Sequence, residues 1–483
     1  MSVNDLFDKS DNIELNDSVD IEDESTDQVA VAPKREMESP EFQALVQELS
    51  STMGVEGITY APNEVIVKLN PSIASTNQIN ALQTSLDAKV KESTQTMGIQ
   101  LWEIQGMSVA EAIALYGDDP AIEYIEPNYI GSINTTTPND PEYNRLWGLN
   151  NTGQTGGTPD ADIDAPEAWD IETGNNVVVG VIDTGVDYNH PDLNDNMWTN
   201  PGEIAGNGID DDNNGYVDDV YGWDFANDDN DPFDDNSHGT HVAGTIAAEG
   251  NNGIGVTGVS WSADIMALKF LGSSGSGSYF DAIQAIEYAT MMGADLTNNS
   301  WRGYSFSQGL RDAIAMAGNA GQLFVAASGN ENNNNDTRPA YPASYNLDNI
   351  ISVASTDDDD RRSGFSNFGS TSVDLGAPGS SVYSTIPGGG YGFKSGTSMA
   401  TPHVAGVASL VWSDDPTLTA QQVKDRILAT VDPISDLQGI TVSGGRLNAY
   451  SALTGSTPPP VVPVIFDDFD PDVDNSQWSN ITK

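Results

Sequence analysis

Val177-Val178-Val179-Gly180-Val181-Ile182-Asp183-Thr184-Gly185 is the stretch that decides the fold. Its apolar residues are β-branched or lack a side chain, and no polar position alternates with them. That pattern belongs to a strand buried on both faces, as in a parallel sheet. Residues 265–268, 323–327 and 350–354 repeat it, and helical patterns at 282–292 and 309–317 fall between them. Strands alternating with helices predict an α/β domain built on a doubly wound, mostly parallel sheet with helices on both faces. Asp183 closes its run, which sets it at the carboxyl edge of the sheet, where open α/β sheets bind ligands.

The rest of the 483-residue chain frames this domain. Acidic residues outnumber basic ones 72 to 18, a formal charge of −54. Such a surface repels nucleic acid and anionic lipid, so neither is an expected partner. Calcium ligands, a saline environment and plain solubility are the competing uses for so much acid. No apolar run approaches the roughly 18 to 20 residues of a membrane span. There is no Cys, so no disulfide staples the fold. Residues 1–20 are acidic and lack the basic and apolar regions of a secretory signal.

Four segments are expected. Residues 1–57 are polar and acidic, a disordered stretch with room for a helix over 40–53. Residues 58–131 alternate strands (64–69, 101–104, 122–125) with helices (79–86, 109–116), a small α+β domain. The main domain runs over 139–455. Residues 456–483 begin with the proline linker 457–463 and end in a segment too short to fold alone, the start of a further appended region.

Two more motifs carry chemistry. His238-Gly239-Thr240-His241 opens a helix of small residues, and Gly396-Thr397-Ser398-Met399-Ala400-Thr401-Pro402 opens another. A hydroxyl is a poor nucleophile at neutral pH, and a neighbouring imidazole that takes its proton is the usual remedy. His238 is the candidate base for Ser398, with Asp183 to orient it. Pro402 in the first turn agrees with a helix starting at Ser398. The chain order Asp, His, Ser is that of subtilisin, not of chymotrypsin or the α/β-hydrolases.

Over roughly residues 60–455 the sequence resembles the subtilisin-like serine proteases, or subtilases. The resemblance implies a serine endopeptidase that cleaves polypeptides through an acyl-enzyme. Asn330, in Ala326-Ala327-Ser328-Gly329-Asn330, matches the family's oxyanion-hole asparagine. Residues 58–131 are similar to the family's ferredoxin-like inhibitory propeptide, which would make the chain's own propeptide its intramolecular inhibitor. Self-processing would fall between about 130 and 138. The resemblance favours an extracellular monomer, while the missing signal leaves a cytoplasmic processing protease as the alternative. A rival of another class is a non-catalytic scaffold on the same fold. A zinc site using His238 and His241 lacks a third ligand. His241 reads as a packed helix residue, and His190 and His403 lie in family-like structural motifs.

For the substrate cleft, Gly275-Ser276-Gly277-Ser278-Tyr279 resembles the family segment that pairs with an extended peptide, and Ser300-Trp301-Arg302-Gly303 the opposite wall. Ala327, Ser328 and Gly329 would flank a primary pocket with room for a large apolar or aromatic side chain. Arg302 stands where many relatives have Gly. It either faces outward without effect, the preferred reading, or caps the pocket and favours an acidic residue.

Two loops suit Ca2+. Residues 210–219 place oxygens at alternate positions around a glycine turn (Asp210, Asp212, Asn214, the Tyr216 carbonyl), closed by Asp218 or Asp219; Tyr221 occupies the place of an EF-hand's Glu. The cluster 228–235 is a weaker candidate. The family resemblance implies a further site from Asp140, Asp192 and the loop carrying Asn252, Ile254 and Val256. Bound calcium would take a structural role.

Overall fold

The computed structural model describes residues 39–53, 60–129 and 135–455. The expected disorder of residues 1–38, the processing stretch at 130–134, and the linker and tail at 456–483 lie outside the described residues. The described residues fall into two compact units that divide between residues 134 and 135.

The first unit contains α1 (Pro40–Met53), β1 (Tyr60–Leu69), α2 (Thr76–Ser85), β2 (Lys89–Ser93), β3 (Ile99–Glu103), α3 (Val109–Tyr116) and β4 (Ile122–Tyr129). Its four strands form an antiparallel sheet in the order β2-β3-β1-β4. A βαββαβ chain wound in this order is ferredoxin-like. Capping boxes start both of its long sheet-packing helices, Ser75 with Gln78 and Ser108 with Glu111, each satisfying two otherwise orphaned N–H groups. Val65 and Val67 point inward onto Leu82, Leu86, Trp102 and Ile113. The sequence reading missed β2. Lys89-Val90-Lys91-Glu92-Ser93 is an edge strand in which only Val90 is even half-buried, so it has no apolar alternation to read. Its lysines suit an edge that must not pair further.

The second unit is organised around nine strands: β5 (Val178–Asp183), β6 (Gly222–Asp224), β7 (Asp264–Lys269), β8 (Leu296–Asn299), β9 (Leu323–Ala327), β10 (Ile350–Thr356), β11 (Leu375–Pro378), and, after the hairpin of β12 (Val382–Ile386) and β13 (Gly390–Lys394), the short β14 (Asp432–Pro433) and β15 (Gly445–Arg446). Their order is β14-β15-β11-β10-β9-β8-β5-β7-β6, and every pairing but β14 with β15 is parallel. The helices are α4 (Ala165–Trp169), α5 (His238–Ala247), α6 (Tyr279–Met291), α7 (Gln308–Asn319), α8 (Thr397–Asp414), α9 (Ala420–Ala429) and α10 (Ala449–Thr454).

Period-2 alternation explains why this sheet is covered twice. Val179, Val181, Ile265, Ala267, Leu323, Val325, Ile351 and Val353 pack into one core with α5 and α8. Ile182, Met266, Leu268, Phe324, Ala326 and Ile350 pack into a second core with α6 and α7. The strands are thus apolar on both faces, as their uninterrupted runs predict. Small residues let α8 lie deep in the molecule: a Cβ on Gly406 would come within 2.5 Å of Val259. The expected doubly wound architecture is present.

After β5 the chain crosses to the edge strand β6, fills in β7 beside β5, then passes to the other side of β5 for β8, β9, β10 and β11. The direction of winding therefore reverses between β5 and β8, and a crevice opens beyond the carboxyl ends of these strands. Asp183 ends β5 and Ser300 follows β8, so both stand at that crevice. β8 escaped sequence reading because Leu296-Thr297-Asn298-Asn299 is mostly polar, although all of it is buried.

Candidate active site

Asp183 is fully buried, and its Oδ1 accepts from Thr184 N–H (2.8 Å) and faces His238 Nδ1 at 2.7 Å. Its Oδ2 has no hydrogen-bond partner among the described residues. A buried carboxylate so thinly hydrogen-bonded favours positive charge beside it, so it stabilises the imidazolium once the neutral His238 ring takes up a proton. The contact fixes the ring: Nδ1 carries the proton toward Asp183, and Nε2 presents its lone pair to the cleft. Burial is the largest influence on His238 and disfavours its charge, yet the charge and hydrogen bond of Asp183 outweigh it, so the pKa is raised above the ordinary 6.5.

The other three histidines are committed to backbone. His241 Nε2 faces the carbonyls of Val382 and Gly392, both at 3.1 Å, and burial pushes its pKa down to about 3. His403 Nδ1 contacts Met399 O at 2.9 Å, and His190 Nε2 contacts Gly390 O at 3.0 Å. His241 therefore turns away from His238, and no histidine belongs to a metal-holding cluster among the described residues.

His238 owes its position to residues the sequence reading did not single out. Ser237, at the start of α5, has φ 86° and makes no side-chain cap. Asp234 substitutes for it. Its Oδ1 accepts from Thr184 Oγ1, Asn236 N and Ser237 N (each 2.9 Å), and its Oδ2 from Thr240 N (2.9 Å) and Thr240 Oγ1 (2.7 Å). A carboxylate here also meets the positive end of the helix. Thr184 Oγ1 accepts from Gly239 N–H (2.9 Å), so the residue after the acid grips the residue after the base. Lys269, buried beneath, donates to Thr184 O and to Asp235 Oδ1, both at 2.7 Å. The signal for Asp234 was an acid four residues before a helix-opening His, hidden inside an acidic run read as a metal candidate.

Ser398 is the second residue of α8, so its N–H has no carbonyl within the helix to reach. Its hydroxyl donates to Ser300 O at 2.9 Å, while Ser300 Oγ returns a bond to Ser398 O at 2.9 Å. The Ser398 Oγ is thus engaged with Ser300 rather than with His238, and catalytic contacts of this kind are often long without substrate and tighten when it binds. Asn330 reaches the same helix start: its Oδ1 accepts from Thr397 N–H (2.8 Å) and Thr397 Oγ1 (3.0 Å). With the oxygen so engaged, Nδ2 is left to donate elsewhere. Thr397 Oγ1 also accepts from Gly329 N–H (3.2 Å), locking the loop after β9 onto the helix.

These groups line an open cleft of about 440 Å³, together with Gly275, Ser276, Gly277, Ser300, Trp301, Arg302, Ala327, Gly329 and Thr397. Ser328 is not on its surface; it is buried, with its carbonyl held by Asn335 and Asn367 side chains. Residues 276–278 follow the cleft outside any strand, with Ser276 O accepting from Gly272 N (3.1 Å). Such a segment can take on a peptide as a new strand. Arg302 reaches across the cleft to the Glu331 carboxylate, a partner that sequence reading had not named.

Two groups of oxygens suit a hard cation. Glu203, Asp210 and Asp212 bring carboxylate oxygens within 4.8 Å of one another, and no Lys or Arg pairs with them among the described residues. Glu203 was absent from the sequence reading. Asn214 and Tyr216 sit in the same loop, where Asn214 Oδ1 accepts from Tyr216 N (2.8 Å). Asp219 is turned inward to Asn200 (2.9 Å), Asn214 (2.9 Å) and Tyr288 OH (2.5 Å), and Asp218 accepts from Asn207 N and Gly208 N. In the second group Asp140 accepts from Asn251 N (2.7 Å) and Asp192 from Asn252 Nδ2 (2.9 Å) and Val256 N (2.8 Å), with Ile254 N on Asn252 Oδ1 (2.7 Å). Burial pushes the pKa of Asp192 up to about 6 and raises that of Asp140. Two buried carboxylates with no basic partner fit a cation.

Comparison with known proteins agrees with this geometry. The subtilase family pattern matches residues 174–452, and the fervidolysin N-terminal prodomain pattern matches residues 47–128. Thermitase of Thermoactinomyces vulgaris is 41% identical, over 66% of this chain and 99% of its own. The thermophilic serine proteinase of a Bacillus species (strain AK1) is 35% identical, over 82% of this chain and 88% of its own. Among solved structures, proteases from Pseudoalteromonas arctica match with a TM-score of 0.54 at 31% identity, over 66% of this chain and all of theirs. A doubly wound sheet with a histidine–aspartate pair and a helix-borne serine at its switch point, preceded by a ferredoxin-like prodomain, places the chain in the subtilase family of serine endopeptidases.

Proposed function

We propose that Ser398 is the nucleophile, His238 its general base, Asp183 the group that orients and charges the base, and Asn330 Nδ2 with Ser398 N–H the oxyanion donors. The observation that carries this reading is the 2.7 Å Asp183–His238 contact opening onto a cleft also lined by Ser398 and Asn330. His238 Nε2 takes the Ser398 proton as Oγ attacks the substrate carbonyl, and the imidazolium is stabilised by Asp183. The same proton passes to the leaving amine, and water releases the acyl group by the reverse use of the same residues. Asn330→Ala is expected to lower kcat about 100- to 1,000-fold with little change in KM, measured on a peptide substrate, because its donor meets charge only as the oxyanion develops.

Residues 58–131 act in this proposal as an intramolecular inhibitor, released by cleavage between about 130 and 138, and residues 139–455 as the mature protease. The match to a prodomain supports the first part. No described helix is long and apolar enough to cross a membrane. The propeptide and the calcium sites favour the calcium-rich exterior over the cytoplasm as the protein's site of action.

Calcium in this reading is structural. Glu203, Asp210 and Asp212 would hold one ion, and Asp140, Asp192, Asn252 and the Ile254 and Val256 carbonyls another; bound, each neutralises clustered carboxylates. Thermal unfolding in calcium and in chelator is the check. Each site is expected to add about 2.7 kcal/mol at a hundredfold excess over its Kd. Glu203→Gln should remove part of that gain, read against the variant's own calcium-free melting temperature, because both Glu203 oxygens also accept backbone N–H bonds, from Asp211 and from Asp218. Equal melting temperatures in both conditions would remove the proposal.

A further inference from the structure

We propose that the Arg302–Glu331 ion pair is a charge-neutral bar across the primary specificity pocket, selecting uncharged side chains at the residue before the scissile bond; this rests on the protease reading of the cleft. The two residues come from opposite walls. Arg302 follows β8 and lines the cleft, whereas Glu331 follows Asn330 in the loop after β9. Arg302 Nη2 donates to Glu331 Oε1, and Tyr304 OH donates to Glu331 Oε2.

Both charges are held in place. Glu331 Oε2 accepts from Asn330 N–H (3.1 Å), and its own N–H donates to Asn367 Oδ1 (3.0 Å). Arg302 is followed by Gly303, which exchanges two backbone bonds with Tyr341 (2.7 and 2.8 Å), and its guanidinium lies 5.5 Å from the Tyr304 ring centre. Gly329, with φ +112°, lines the cleft close to the acid: a Cβ there would stand 2.4 Å from Asn367 Nδ2 and 3.1 Å from Glu331 Oε2. The carboxylate thus adjoins the pocket wall, where Arg302 supplies the charge that offsets it and Tyr304 and Asn330 supply neutral hydrogen bonds.

A charged substrate side chain of either sign meets one attraction and one repulsion here, and must break the pair to gain from either. Uncharged side chains meet neither demand. Removing one partner exposes the other, so the two single variants should shift selectivity in opposite directions, which no purely steric role would produce.

The experiment measures kcat/KM for peptides identical except for Gln, Phe, Lys or Glu before the scissile bond. The wild type should favour Gln and Phe over both charged residues. Arg302→Gln should raise the Lys-to-Gln ratio about tenfold, Glu331→Gln should raise the Glu-to-Gln ratio about tenfold, and the double variant should return to neutrality. Arg302→Gly offers a second route to the unpaired acid. Ratios that move less than about twofold, or in the same direction in both single variants, overturn the bar. Labelling of the wild type at Ser398 by a fluorophosphonate separates the two readings. Labelled enzyme with unmoved ratios fails the bar alone, and a wild type that is neither labelled nor active fails both.

Discussion

Ser398→Ala is expected to lower kcat about a millionfold and to leave the chain at its full length, because nucleophile and base act as a unit and the loss of either removes nearly all covalent catalysis. The wild type, folded in calcium, should lose its N-terminal segment by its own action and become active on an unfolded protein. The substitution deletes only the hydroxyl that donates to Ser300 O, on a helix whose start is held by Thr397 and Asn330, so the variant should melt like the wild-type precursor. Mass spectrometry over time reads the processing, and peptide hydrolysis reads the turnover. A purified variant that cuts itself at the wild-type rate would remove Ser398 from the mechanism.

Asp183→Asn should cost about ten-thousandfold in kcat, since a neutral amide neither stabilises the imidazolium nor enforces the tautomer with Nε2 free. The pH dependence makes this distinctive. Protonated His238 cannot act as a base, so activity rises as pH climbs through its raised pKa, and the acid limb of kcat/KM lies above 6.5. The pair's contribution to stability runs the other way. It is complete below the pKa of His in the unfolded chain and is lost as pH rises through the higher folded value. In the variant the raising influence of Asp183 is gone, leaving burial and the Lys394 charge to lower the pKa against a smaller raising effect of Asp234, so the residual acid limb should move to lower pH. A pH–rate profile whose acid limb stays in place would show that Asp183 does not set the charge of His238.

The parts of this molecule that were legible in its sequence are those where one local rule suffices. Unbroken apolar runs marked β5, β7, β9 and β10 because both faces of each strand are buried. The four catalytic candidates stood out because each sits in a distinctive short segment. What escaped depended on partners distant in the chain. β8 is polar yet buried, with Asn298 bonded to Ser300 and Asn299 to Thr297. β2 is an exposed edge strand. Asp234 looked like one more acid in an acidic run, and its role depends on Thr184, fifty residues earlier. Glu203 joins Asp210 and Asp212 only through a loop closure, and Glu331 meets Arg302 only across a cleft.

Asn330 touches Thr397 with the oxygen of the same amide whose nitrogen is proposed to meet the oxyanion. Competence to hydrolyse is therefore conditional on assembly. Under the proposed roles, the Asn330 amide keeps its orientation only while α8 is docked against the loop after β9, so the oxyanion donor depends on the contact that anchors the start of the nucleophile's helix. In this chain the contact that orients the proposed oxyanion donor exists only where two distant segments have packed together, which ties the power to cut to being folded.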